Sequence, residues 1–147
     1  MEINENVWAF FQAALGYDDE EMAEFRQNPK SRKLITRAGA IAQTTFTAEV
    51  VEAHGCFSGH KPGQRIILDG AGNLLPEHCP PRLCVYLLNN LGALVFAAQE
   101  LIYAGADPKE MMFNRCACID VGRVCGGLGR VVLELRADSG AGIKNDE

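Results

Sequence analysis

Thr44-Thr45-Phe46-Thr47-Ala48-Glu49-Val50 alternates polar and apolar side chains, with β-branched residues among them. Period two with this composition predicts a strand that buries one face. Glu52 continues the polar set. Upstream the texture is different. Val7, Phe10, Phe11, Ala14 and Leu15 recur at helical spacing behind the capping candidates Asn4 and Asn6, and Gly16 is a stop. Asp18 or Asp19 caps a second helix, with Met22 and Phe25 on its apolar side, and Asn28-Pro29 ends it. Ser31 begins a third, carrying Leu34, Ile35, Ala38 and Ile41. Three short amphipathic helices cannot bury their apolar faces alone, so this arm must pack on the rest of the chain or on a second subunit.

Downstream, a loop from His54 to Gly63 leads into a short strand, Arg65-Ile66-Ile67-Leu68, closed by the turn Asp69-Gly70-Ala71-Gly72-Asn73. Pro80-Pro81 reads as the opening of a long helix, because proline is favoured in a first turn. Its buried stripe is Cys84, Leu87, Leu88, Leu91, Leu94, Val95, Ala98, Leu101 and Ile102, and Gly105 and Pro108 end it. Two strands follow, 113–121 and 130–136, joined by the loop Gly122 to Gly129. That connection is too short for a parallel crossover, so they form a hairpin. The expected class is α+β: an N-terminal helical arm, then a small antiparallel sheet in the order β-β-α-β-β packed on one long helix. The expected divisions are an arm at 1–43 for docking or oligomerisation, a core domain at 44–138 and a flexible tail at 139–147.

At 147 residues the chain suits one core, and a charged fraction of 22% is too low for disorder. The net charge of −5 argues against a broad nucleic-acid surface, which needs clustered Lys and Arg. Met1 runs directly into Glu2 and Asn4 with no signal-peptide pattern. The most apolar segment, Leu83 to Ala106, is interrupted by Asn89, Asn90, Gln99 and Glu100, so it reads as a buried helix rather than a membrane span. The expectation is a cytoplasmic protein, where six cysteines are thiols, ligands or catalytic groups rather than disulfides.

All three histidines and three of the six cysteines lie between His54 and Cys84. Cys56 and His60 sit four apart on a loop with Gly55, Gly59 and Gly63, a spacing from which metal sites are built. Cys79, read as standing just before a helix, would have its thiolate stabilised by the helix N-terminus. That favours metal binding by Cys56, His60 and Cys79, or nucleophilic reactivity with the same three residues as catalytic groups. His54 is a secondary group and Cys84 a core residue. A second cluster, Cys116, Cys118 and Cys125, would reach the four thiolates of an iron–sulfur cluster if joined by Cys56 or Cys79. Core packing of Cys116 and Cys118 is the alternative. The N–H groups of the Gly126–Gly129 loop are a candidate anion site. Glu77, Glu100 and Asp120, the last with Arg123 as a partner, are scattered acid–base candidates that form no triad.

The run from Val50 to Gln64 resembles a family of small uncharacterised bacterial and archaeal proteins. Their pattern is a strand, then G-x-C-x-x-G-H/K-x-x-G-D, a short strand and a Cys-Pro that begins a helix. Gly55, Cys56, Gly59, His60, Gly63 and Cys79-Pro80 match it, while Gln64 stands where the family has Asp. The resemblance covers roughly residues 45 to 136. It implies a shared fold and a shared site at Cys56 and Cys79, and no activity. The leading expectation is a metal- or iron–sulfur-binding protein, zinc being the other metal. It would be an oligomeric enzyme, a homo-oligomer or the small subunit of a larger one, with no nucleic-acid or membrane partner. The alternatives are a metal-free cysteine-nucleophile enzyme and a non-catalytic partner-binding subunit with core cysteines.

Overall fold

The computed structural model describes residues 2–139. The expected tail lies outside the described residues except for Ser139, which ends the last strand. The chain divides into two compact units, 1–39 and 40–147.

The first unit carries α1 (Glu5–Leu15), α2 (Asp19–Gln27) and most of α3 (Pro29–Ala42). Each helix starts on a side-chain cap. Asn4 accepts from the Asn6 amide. Asp18 and Glu21 form a reciprocal capping box, which satisfies two otherwise orphaned amides. Asn28 accepts from the Lys30 amide, so α3 begins at Pro29 rather than Ser31. Trp8, Met22 and Ile35 form a small separate core, with Phe25 edge-on to Trp8.

The second unit contains β1 (Thr44–His54), β2 (Arg65–Asp69), α4 (Val85–Ala104), β3 (Arg115–Ala117) and β4 (Arg130–Ser139). The sheet is antiparallel in the order β2-β1-β4-β3. Three single-turn 3-10 segments, at 76–78, 108–110 and 123–125, interrupt the connections. Phe46, Ala48 and Val50 of β1 stand opposite Ala137, Leu135 and Leu133 of β4, and all six are buried. Against this face α4 lays Leu87, Leu91, Val95, Ala98 and Ile102. That helix has the length and apolarity of a membrane span, but this stripe packs into the core.

Two local features aim the site. The β1–β4 register slips between Val50 and Glu52. The extra residue resets the alternation, so Ala53 turns to the core and His54 stays exposed. Val50 then closes the following loop through backbone bonds with Gly63 and Gln64, each 2.8 Å.

The long helix does not start at Pro80-Pro81. Pro76 opens the 3-10 turn Pro76–His78, and Cys79 caps its end. Pro81 then restricts Pro80 to extended backbone, and residues 80–84 stay non-helical. Helix α4 begins at Val85, and its N-cap is Cys84. The expected strand 113–121 likewise contracts to Arg115–Ala117, because the chain turns into a loop organised by Asp120.

Candidate active site

Cys84 and His60 face one cavity of about 190 Å3 beside the start of α4. Cys56, Ser58, Cys118 and Asp120 also line it, and Phe57, Tyr86, Leu87, Leu128 and Val131 supply the apolar wall. Phe57 is 93% exposed, and with Tyr86 and Leu128 it makes an apolar rim.

Cys84 is where the amide groups of the long helix converge. Its backbone is extended, with φ −86° and ψ 128°, as an N-cap requires. Burial works against ionisation of its thiol, but the Ser58 hydroxyl and the backbone N–H groups of Tyr86 and Leu87 outweigh it. The net effect holds the Cys84 thiol below its ordinary value. The Cys84 carbonyl accepts the Leu87 and Leu88 amides at 3.0 and 3.1 Å, which closes the first turn and leaves the thiol at the positive end of the helix dipole.

His60 is only 5% exposed, yet its Nε2 has no hydrogen-bond partner among the described residues. The other ring nitrogen fixes the tautomer. Gln64 Oε1 accepts from the Lys61 amide at 3.1 Å, which sets the orientation of the Gln64 carboxamide. The same oxygen lies 3.3 Å from His60 Nδ1. An oxygen can only accept, so Nδ1 carries the proton and Nε2 of the neutral ring is a bare acceptor. Gln64 therefore acts on the site through His60.

Asp120 builds the opposite wall. Its carboxylate accepts the N–H groups of Gly122 at 2.9 Å, Leu128 at 3.0 Å and Gly129 at 3.2 Å. These bonds hold the acid below its ordinary value. With the Gly126 and Gly127 amides donating to the Arg123 and Gly122 carbonyls, every amide of the Gly126–Gly129 loop is occupied and the loop is not an open anion nest, and no Asp120–Arg123 pair forms among the described residues. Gly55, at φ +62°, lies against that loop. A methyl group there would stand 2.8 Å from the Leu128 carbonyl oxygen. The loop bearing Cys56 and His60 is thus clamped to the loop bearing Asp120.

The expected residues are divided by this arrangement. Cys56, His60 and Cys118 line the cavity, and Cys79, Cys116 and Cys125 do not. Cys79 Sγ instead sits on the β2 backbone, 3.4 Å from the Ile67 nitrogen and 3.5 Å from its oxygen. Cys116 pairs with Leu133 and turns into the core, where burial pushes its thiol up. Cys125 is exposed on its 3-10 turn. Cys118 Sγ accepts from the Val131 amide at 3.4 Å. His54 and Glu100 are exposed, and Glu77 lies 3.8 Å from His78, away from the cavity. Cys84, Ser58 and Gln64 are the residues that sequence reasoning did not place here. Among the described residues, no three His, Cys, Asp or Glu side chains come together as a metal-holding group. No family model matches the chain, and no curated protein or solved structure does either.

Proposed function

We propose that the chain is a cytosolic thiol-dependent group-transfer enzyme, with Cys84 as nucleophile. One observation carries this reading. The thiol held low at the head of α4 lines the same cavity as His60, whose Nε2 is buried without a hydrogen-bond partner among the described residues. The Cys84 thiolate adds to the carbonyl carbon of an acyl donor, forming a C–S bond as the C=O electron pair moves to oxygen. The positive end of the α4 dipole stabilises that charge. Collapse expels the donor's leaving group and leaves a thioester. An acceptor O–H or N–H then attacks the thioester and the thiolate leaves, the acceptor's proton passing to His60 Nε2 once a shift of its loop opens that buried nitrogen to the cavity, and from there to the expelled leaving group. His60 thus serves the acceptor rather than the thiol, which the helix already activates.

A second reading uses the same cavity. Cys56, His60, Cys84 and Cys118 are zinc-ligand types that line one cavity without being gathered into a ready-made site, so a metal would have to draw them together, with the unpartnered His60 Nε2 as one ligand. An iron–sulfur cluster would have to take His60 as a ligand beside the three thiols Cys56, Cys84 and Cys118. The metal reading departs from the ligand set read from the sequence, Cys56, His60 and Cys79, by exchanging Cys79 for Cys84 and adding Cys118.

Limiting iodoacetamide at neutral pH, followed by peptide mass analysis, separates the readings. Cys84 is expected to label first in metal-free protein. Uniformly slow labelling contradicts the proposal. Close to one zinc or iron per chain in anaerobically purified protein favours the second reading.

A further inference from the structure

We infer that the helical unit carries a site of its own, a cleft that binds a primary alkylammonium group. The cleft has a volume of about 310 Å3 and is lined by Tyr17, Glu21, Glu24, Phe25, Asn28 and Ser31. All six lie in the unit 1–39, so the inference does not rest on the thiol chemistry. Charge sets the sign of the occupant. Glu21 and Glu24 stand one turn apart on α2, and neither has a cationic partner among the described residues. Arg26, the basic residue of that helix, is turned to Glu5 instead and lies over the Trp8 ring, 5.3 Å from its centroid. The negative end of α2 and the positive end of α3 meet at Asn28, so the helix dipoles oppose each other and the carboxylates decide the local potential. Ser31 adds an independent demand. It is 8% exposed, and its hydroxyl has no hydrogen-bond partner among the described residues. That hydroxyl is not sealed in, because among the described residues His60 Nε2 alone is both enclosed and unpartnered. The Ser31 oxygen therefore opens on the cleft its residue lines, where a ligand can supply the missing bond. The rings select the kind of cation. Tyr17 and Phe25 stand at 75° with centroids 5.6 Å apart and form an aromatic corner. Such a corner suits an ammonium on an alkyl stem, whereas a hard metal ion takes a full shell of oxygens. Three N–H donors of R–NH3+ meet three acceptor groups, Glu21, Glu24 and Ser31. Glu21 keeps Oε1 for this role, since its Oε2 accepts the Asp18 amide at 2.9 Å.

The test titrates butylammonium into the full chain at neutral pH and low salt, followed by amide shifts in 1H–15N NMR spectra. Saturable shifts centred on residues 17–31 are expected, with a Kd on the order of 1 mM. 1-Butanol keeps the chain and loses the charge, and tetramethylammonium keeps the charge and loses the N–H donors, so each should bind at least about fivefold more weakly. Glu24→Gln breaks no side-chain contact among the described residues, and Glu21→Gln retains the acceptor of the capping box. Each should weaken butylammonium at least about threefold while the far-UV circular dichroism stays unchanged, and Ser31→Ala should weaken it as well. N-acetyl-lysine amide separates the sources of the ammonium. Binding equal to that of butylammonium assigns a lysine side chain of a peptide, and binding about tenfold weaker assigns a free small amine. Shifts that 1-butanol reproduces at equal concentration overturn the inference, as does an affinity unchanged in Glu24→Gln. Displacement of butylammonium by an equal concentration of Ca2+ overturns it in favour of a metal.

Discussion

Replacing Gly55 with alanine strikes the point where the two walls of the cavity meet. Two penalties follow from the local geometry. The backbone sits at φ +62°, where an L side chain costs about 1–2 kcal/mol. The added methyl would also lie 2.8 Å from the Leu128 carbonyl oxygen and 3.2 Å from the Gly129 α-carbon. Ordinary carbon contacts need about 3.5 Å or more, so the two backbones must separate by roughly half an ångström. Neither can do so freely. Leu128 and Gly129 are pinned by their amides to Asp120, and Gly129 leads directly into β4. Overpacking against rigid backbone adds about 1–3 kcal/mol, for a total near 3 kcal/mol and a fall in Tm of roughly 10 °C. Two further glycines separate the contributions. Gly59 has φ +78° but open space around it, so Gly59→Ala carries the backbone penalty alone. Gly92 lies within α4 with nothing near it, so Gly92→Ala should stabilise by about 0.5–1 kcal/mol. Thermal unfolding followed by circular dichroism reads all three. A Gly55→Ala Tm equal to that of Gly59→Ala would refute the close approach of the two loops.

Other outcomes follow from the same geometry. Leu91→Ala empties a position that is 1% exposed between α4 and the sheet, and should cost about 2–5 kcal/mol by denaturant titration. Asp120→Ala removes the acceptor of three loop amides and should lower the Tm near neutral pH. The folded Asp120 carboxyl is held below its unfolded value of 3.8, so its stabilisation is fully present above that pH and is lost as pH falls through the lower folded value. The Tm gap between Asp120→Ala and the unsubstituted protein should therefore narrow below about pH 4 in a pH series of melts. Ser58→Ala should slow Cys84 alkylation at neutral pH without slowing that of Cys125, because it removes the hydroxyl that favours the thiolate.

The α+β class was legible because two periods are clean. Alternation at Phe46, Ala48 and Val50 marks a half-buried strand, and Leu87, Leu91, Val95, Ala98 and Ile102 mark a buried helix stripe. The head of that helix was misplaced for a specific reason. Cys84 precedes Leu87 by three residues, so periodicity carries it onto the stripe, although its backbone is extended. Meanwhile Pro80-Pro81 mimics a first turn that the 3-10 segment at Pro76 takes instead. Cys84 does pack partly buried against the core, but as the N-cap of α4 rather than on its stripe, and Cys79, read as standing at the helix start, packs on β2. Cys56 and His60 were found because glycines frame them. Gln64 was noticed only as a departure from a pattern, since its hold on His60 Nδ1 is a contact in space. The Asp120 staple joins amides up to nine residues away, which no local motif signals.

The measurement closest to the central claim is the pH dependence of alkylation resolved for each thiol. The Cys84 rate is expected to rise at a lower pH than that of Cys116, whose burial opposes ionisation. A profile in which the Cys84 rate rises together with that of Cys116 or after it would contradict the assignment of the activated thiol to the head of α4.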